Sequence, residues 1–217
     1  AKYNMYEADK FERIVHKLFK AKGVEITDFN VDYGYPKTMQ YIEDGEDVIY
    51  QAALICEKGA YCKIDILGKG NDGRFNIVEV KMTGEVKDGH IKDACFQYVV
   101  AKRAGIDVSK VFIAHLDKYY VKNGEIDPKK FAKLVDVTDK VIDMSAKMEK
   151  EILKVLDSDF DTVRPDEKVG HRCSKPYTCS RKKECFKEQG VPKFSVFDIF
   201  NRGGKKLESV LDQGILK

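Results

Sequence analysis

Between Asp47 and Met82 three β-patterned stretches follow one another, Asp47–Cys56, Tyr61–Leu67 and Arg74–Met82, rich in Val, Ile and Tyr. The last two are parted by Gly-Lys-Gly-Asn-Asp-Gly, which is hairpin punctuation, so this part of the chain must supply consecutive strands of one sheet. The rhythm then changes. Asp88–Ala104 reads as a helix closed by Gly105, Lys110–Leu116 as a buried strand and Leu134–Val137 as a further strand. Thr138 opens a long helix to about Leu156, with Thr138 or Asp139 as its N-cap. Upstream, Phe11, Ile14, Val15, Leu18 and Phe19 recur at helical spacing and predict an amphipathic helix over Asp9–Ala21. An extended stretch, Thr27–Tyr33, and a helix starting at Pro36 complete the N-terminal part. Strands alternating with helices around one central sheet imply an α/β or α+β domain.

With 217 residues the chain is long enough for one large domain with a small annex, burying roughly 70% of its unfolded surface. Residues are 43% hydrophobic and 35% charged, and no apolar run approaches the ~20 residues of a membrane span. Membrane, disordered and fibrous classes are thereby excluded. Thirty-nine Lys and Arg stand against 36 Asp and Glu, so the net charge of +3 does not announce nucleic-acid binding, and any phosphate-binding surface must be local. Past Arg164-Pro165 the composition shifts to Cys, Lys, Arg and Pro, which places a boundary there: a core over residues 1–163 and an annex over 164–217. Phe194–Lys217 reads as two short helices that lead toward a further domain.

Chemistry concentrates in Lys63-Ile64-Asp65 and, fourteen residues after Asp65, Glu79-Val80-Lys81. Positions i and i+2 of a strand share a face, so Glu79 and Lys81 project to one side while Val78 and Val80 project to the other. If the two strands pair through a loop with an odd number of residues, Asp65 stands opposite Glu79, with Cβ atoms about 5 Å apart. Two facing acids repel unless a cation sits between them, and Mg²⁺ is suited to one or two carboxylates plus waters. The bland alternative is a hairpin of solvated charges.

The six cysteines are Cys56, Cys62, Cys95, Cys173, Cys179 and Cys185, and the charged N-terminal stretch leads us to expect no signal peptide. A cytoplasmic location is expected, where thiols stay reduced and clustered cysteines point to a metal or an iron–sulfur cluster. Cys95 reads as a core thiol, and Cys56 and Cys62 as buried strand cysteines. Cys173, Cys179 and Cys185 are spaced through a polar, basic segment and form the candidate cofactor set. Zinc on these three with His171 is an alternative, although such wide gaps are unusual for zinc. Arg181-Lys182-Lys183, with Arg164, Arg172 and Lys175, forms either a phosphate track or a solvated face.

An acid-bearing hairpin followed by a helix carrying Asp93 and Gln97, then a buried strand, resembles the PD-(D/E)XK nucleases. Asp65, Glu79-Val80-Lys81 and Gln97 are similar to the acidic, ExK and Gln motifs of the RecB-type exonuclease branch, and Phe11-Glu12-Arg13-Ile14-Val15-His16 to its first motif. The segment His171 to Cys185 resembles the C-terminal cysteine motif of the iron–sulfur members. Ile64 stands where the family has Pro, and Ala101 where it has Tyr. The resemblance implies a restriction-endonuclease-like mixed sheet flanked by helices. It also implies a metal-dependent DNA nuclease, an exonuclease acting on free ends or single strands. By the same likeness His16, Asp65, Glu79 and the Val80 carbonyl hold Mg²⁺ or Mn²⁺, while Lys81 and Gln97 position water and phosphate. Glu12 is the alternative to His16, which otherwise reads as a structural histidine. A [4Fe–4S] cluster is implied at Cys173, Cys179 and Cys185. Its fourth ligand is expected from residues preceding this chain, with Cys62 and Cys56 as runners-up. The competing class is a catalytically silent DNA-binding or scaffold module within a DNA-processing complex.

Overall fold

The computed structural model describes residues 2–19, 23–28, 30–159, 168–175, 177–199 and 204–217, and of residues 2–5 the backbone alone. Two compact units divide the chain, Ala1–Ser158 and Asp159–Lys217. The first contains α1 (Lys2–His16), β1 (Val24–Glu25), α2 (Val31–Glu43), β2 (Val48–Ile55), β3 (Tyr61–Lys69), β4 (Phe75–Lys81) and α3 (Asp88–Arg103). It continues with β5 (Val108–Leu116), α4 (Pro128–Phe131), β6 (Ala132–Asp136) and α5 (Thr138–Leu156). The six strands form one sheet in the order β1-β2-β3-β4-β5-β6. It is mixed: β1 runs parallel to β2 and β4 parallel to β5, while the other neighbours are antiparallel. Each parallel pair needs a crossover, which α2 supplies between β1 and β2 and α3 between β4 and β5.

Helices cover both faces. On one side Ile49, Ala52, Leu54, Ile64, Leu67, Ile77 and Ile113 meet Ala94, Val100 and Ala101 of α3 and Val141 and Ile152 of α5. On the other, Phe11 and Val15 of α1 settle on Val48, Tyr50, Ile66, Val78 and Ala114. That i, i+4 pair is the stripe visible in the sequence.

β2 to β6 follow the sequence closely, whereas β1 has no counterpart in it, residues 31–33 are helical and not extended, and the first helix begins at Lys2, not Asp9. Other helix ends differ too. The first helix ends at His16, because Lys17 and Leu18 donate to carbonyls three residues back, at 3.1 and 2.9 Å, and tighten the chain into a turn. Of the range expected to be helical, residues 20 and 21 lie outside the described residues. The second helix begins at Val31, not Pro36, because Asn30 caps it by accepting from Asp32 N at 3.0 Å, leaving Pro36 inside the helix. Neither Thr138 nor Asp139 caps α5. Val137 holds that place, and the Thr138 hydroxyl instead accepts from Val111 N of β5 at 3.0 Å. The boundary expected between residues 163 and 164 lies outside the described residues.

The second unit contains a 3₁₀ turn (His171–Cys173) and the short helices α6 (Lys182–Glu188), α7 (Val196–Ile199) and α8 (Gly204–Leu211). Among the described residues of the chain no helix is long and apolar enough to cross a membrane.

β1 pairs only with Ile49 and Tyr50, so further along β2 the edge is closed by a side chain. Buried Thr38 of α2 accepts from Ala53 N at 3.0 Å and donates to Gly34 O at 2.9 Å. Thr38→Val preserves the shape and strands the Ala53 N–H. The substitution is expected to lower unfolding free energy in urea by about 1–3 kcal/mol, and an unchanged midpoint would contradict this account of the edge.

Candidate active site

The β3–β4 ladder pairs Lys69 with Phe75, Gly68 with Asn76, Leu67 with Ile77 and Ile66 with Val78, around the odd five-residue loop Gly70–Arg74. Gly73 takes φ +77° there, a turn conformation open to glycine. Asp65 and Glu79 are the next residues out from the last pair. The ladder stops short of them, and Val80 N donates to Asp65 Oδ2 at 2.7 Å where a strand bond would have continued. The strands part at the position of the two acids.

Glu79 and Lys81 share the face toward α3, as their spacing requires, while Val78 and Val80 pack on the α1 side. Glu79 is 6% exposed. Its Oε1 meets Lys81 Nζ at 2.7 Å and its Oε2 accepts from Gln97 Nε2 at 2.5 Å. Lys81 also reaches Asp93 Oδ2 at 2.9 Å. Asp93 and Gln97 lie four apart on α3, so one helix face delivers both partners. Gln97 is 7% exposed, donates also to Lys63 O at 3.3 Å, and its buried Oε1 has no hydrogen-bond partner.

Burial pushes the Asp65 carboxyl up to about 8, the Glu79 and Glu12 charges push the same way, and the Val80 N–H and Lys81 oppose them. Burial alone would lower Lys81, but Glu79 and Asp93 outweigh it and hold the ammonium above its ordinary range. Lys81 is therefore a cation here and not a base. Cys62, with Ile64 on the larger core cluster, has its thiol pushed up to about 12, by burial first and then by Glu79 and Cys56.

α1 contributes differently from expectation. His16 stacks on Tyr50 with ring centroids 3.8 Å apart and places Nε2 3.4 Å from Glu12 Oε1. Glu12 accepts from Gln51 Nε2 at 2.5 Å, and the same nitrogen lies 3.4 Å from Asp65 Oδ1. Through Gln51, Glu12 rather than His16 is tied to the acid pair. A cleft of about 300 Å³ beside it is lined by Asp9, Glu12, Arg13, His16, Gln51 and Lys63, with Glu25. Sequence reasoning gave Gln51 no role, because nothing in its pattern distinguishes it from an ordinary strand residue. Asp93 carried a signal, its spacing from Gln97.

Among the described residues no three of His, Cys, Asp and Glu converge as a ready metal-binding group. The Asp65–Glu79 pair nevertheless suits a hard divalent ion, since Mg²⁺ needs one or two carboxylates and completes its shell with water. Burial first, and then the Glu79 charge, hold Asp65 up, and such an ion would offset both. In the annex Cys179 N donates to Cys173 O at 3.0 Å and Cys179 is exposed, and among the described residues the three thiols do not form a ready metal-binding group. Cys95 is a core thiol donating to Val141 O at 3.6 Å, and Cys56 and Cys62 are buried. His171 N binds Glu208 Oε1 at 2.7 Å, Arg181 pairs with Glu184 and Lys182 donates to Ser174, while Arg164 lies outside the described residues.

No family model matches the sequence, and no curated protein matches it. Among solved structures the chain is similar to the crystal structure of a "Putative exonuclease" from Eubacterium rectale, at 21% identity and a TM-score of 0.39. The match covers 77% of this chain and 60% of the other.

In the metal-free folded chain Asp65 keeps its proton up to about pH 8, whereas the unfolded chain releases it near pH 4. Between those values the folded state binds more protons, so Asp65 makes stability fall as pH rises from about 4 to about 8. In chelator, Asp65→Asn is expected to raise the melting temperature at pH 8 by several degrees and to change it little at pH 5. Equal shifts at both pH values would refute a proton-holding Asp65.

Proposed function

We propose that this protein is a metal-dependent DNA nuclease, an exonuclease acting on free ends or single strands. The observation that carries the reading is the Asp65–Glu79 pair, Glu79 buried and Asp65 half-buried, with the Lys81 ammonium and the Gln97 amide held against Glu79. A module that only bound DNA would gain nothing by presenting two carboxylates to phosphates. Asp65, Glu79 and the Val80 carbonyl are the groups assigned to hold Mg²⁺ or Mn²⁺. When bound, such an ion polarises a phosphate oxygen and lowers the pKa of a coordinated water.

The chain's own residues set up that chemistry. Lys81, fixed between Glu79 and Asp93, stays charged and offsets the negative charge that develops on the phosphate. Gln97 steers Glu79 with its N–H and keeps its Oε1 free to accept from a water. Glu12 is the α1 residue assigned to the site, because Gln51 couples it to Asp65. No step runs through the annex cysteines. A [4Fe–4S] cluster there is a separate proposal, supported by their segment's polarity and spacing. It is tested by iron and sulfide analysis of anaerobic protein, where bound zinc would replace it with a zinc site and absence of both would remove it.

The deciding experiment follows end-labelled single- and double-stranded DNA with Mg²⁺ or Mn²⁺. Glu79→Gln and Lys81→Met are each expected to lower cleavage by about a hundredfold or more, and chelator to abolish it. Cleavage of equal rate by wild type and both variants would sink the assignment.

A further inference from the structure

Gln51 lies in the middle of β2 with φ +56°, the one non-glycine in the left-handed region among the described residues. A side chain makes that conformation costly, so the fold must hold it there. The ladder records the distortion: Tyr50 pairs with Ile66 and Ala52 with Ile64, and between them Gln51 and Asp65 are left unpaired. Side-chain alternation inverts at the same level. Tyr50 faces the α1 cluster and Ala52 the α3 cluster, although two residues apart they should share a face. Ile66 and Ile64 invert in the same way across Asp65.

The distortion aims one carboxamide. Gln51 Nε2 reaches Glu12 Oε1 at 2.5 Å and Asp65 Oδ1 at 3.4 Å, one nitrogen with two hydrogens serving two carboxylates. A neutral donor is the suitable group for that task. It orients both acids without the charge by which a Lys or Arg would take the place of a metal ion.

We propose that Gln51 is a positioning residue whose left-handed backbone presents its amide to Glu12 and Asp65 and so orients the acids for metal binding. The inference rests on the nuclease reading above. If Gln51 only filled a strand irregularity, glycine would replace it with advantage, since glycine adopts this φ freely. A positioning role separates stability from activity.

The test compares the full-length wild type with Gln51→Gly and Gln51→Asn by thermal unfolding, calorimetric Mn²⁺ binding and steady-state cleavage of a single-stranded oligonucleotide. Gln51→Gly is expected to melt at the same or a higher temperature. Its kcat is expected to fall about tenfold or more with KM within about twofold, and Mn²⁺ to bind about tenfold more weakly. Asn tolerates left-handed backbone but is one methylene short, so Gln51→Asn is expected to show the same losses while remaining folded. Variants that keep kcat and Mn²⁺ affinity within about twofold of an active wild type overturn this inference alone. A Gln51→Gly protein that melts lower and loses kcat and KM together shows a structural role and overturns it as well. A wild type that neither binds Mn²⁺ nor cleaves overturns the nuclease reading, and this inference with it.

Discussion

Two carboxylates in one buried place repel, and the surroundings of Asp65 and Glu79 are organised around that fact. Each acid has its own compensation. Glu79 has the Lys81 ammonium and the Gln97 amide, while Asp65 has the Val80 N–H and the carboxamide of Gln51. Lys81 is shared with Asp93, so its ammonium is fixed on two sides. These partners do not offset burial and the Glu79 charge, since Asp65 still holds its proton far above the ordinary carboxylate range. That residual tension is the physical basis for assigning a divalent cation to the site.

The sheet supplies the geometry by giving up regularity in one place. β3 parts from β4 just past Ile66 and Val78, and at that level it also fails to pair with β2. Backbone groups released from the ladder become available to the site, the Val80 N–H above all. Such irregularity holds because it is flanked by well-packed strands, with Ile64, Ile66, Leu67 and Ile77 fully buried on either side. α3 then serves twice. It is the crossover that makes β4 and β5 parallel, and it carries Asp93 and Gln97 to the α3-side face of the ExK strand.

Much of this was legible along the chain. The strands from Asp47 to Met82, the crossover helix and the hairpin turn announced themselves through β-branched runs, glycine punctuation and helical spacing, because those signals are local, while the odd length of the loop, Gly70–Arg74, emerged only in the structure. Period-two alternation was enough to put Glu79 and Lys81 on one face and Val78 and Val80 on the other. Alternation failed at Gln51 and Asp65, where a single left-handed residue inverts it, and no local signal marks a Gln that will adopt φ +56°. The second helix was read from Pro36 because proline favours first turns, yet the Asn30 cap lies six residues earlier. Thr138 was read as a cap because threonines often are, but β5 claimed its hydroxyl.

The sequence by itself determined the order of the central strands and helices and the spacing that gathers Glu79, Lys81 and Gln97. These depend on neighbours in the chain or on the fixed repeats of strand and helix. Only the tertiary structure decided which α1 residue is tied to the acids, and that His16 turns to Tyr50 while Glu12 joins Asp65 through Gln51. Those outcomes depend on contacts between residues tens of positions apart. There the packing of one element on another selects a side chain's partner, and no repeat along the chain encodes it.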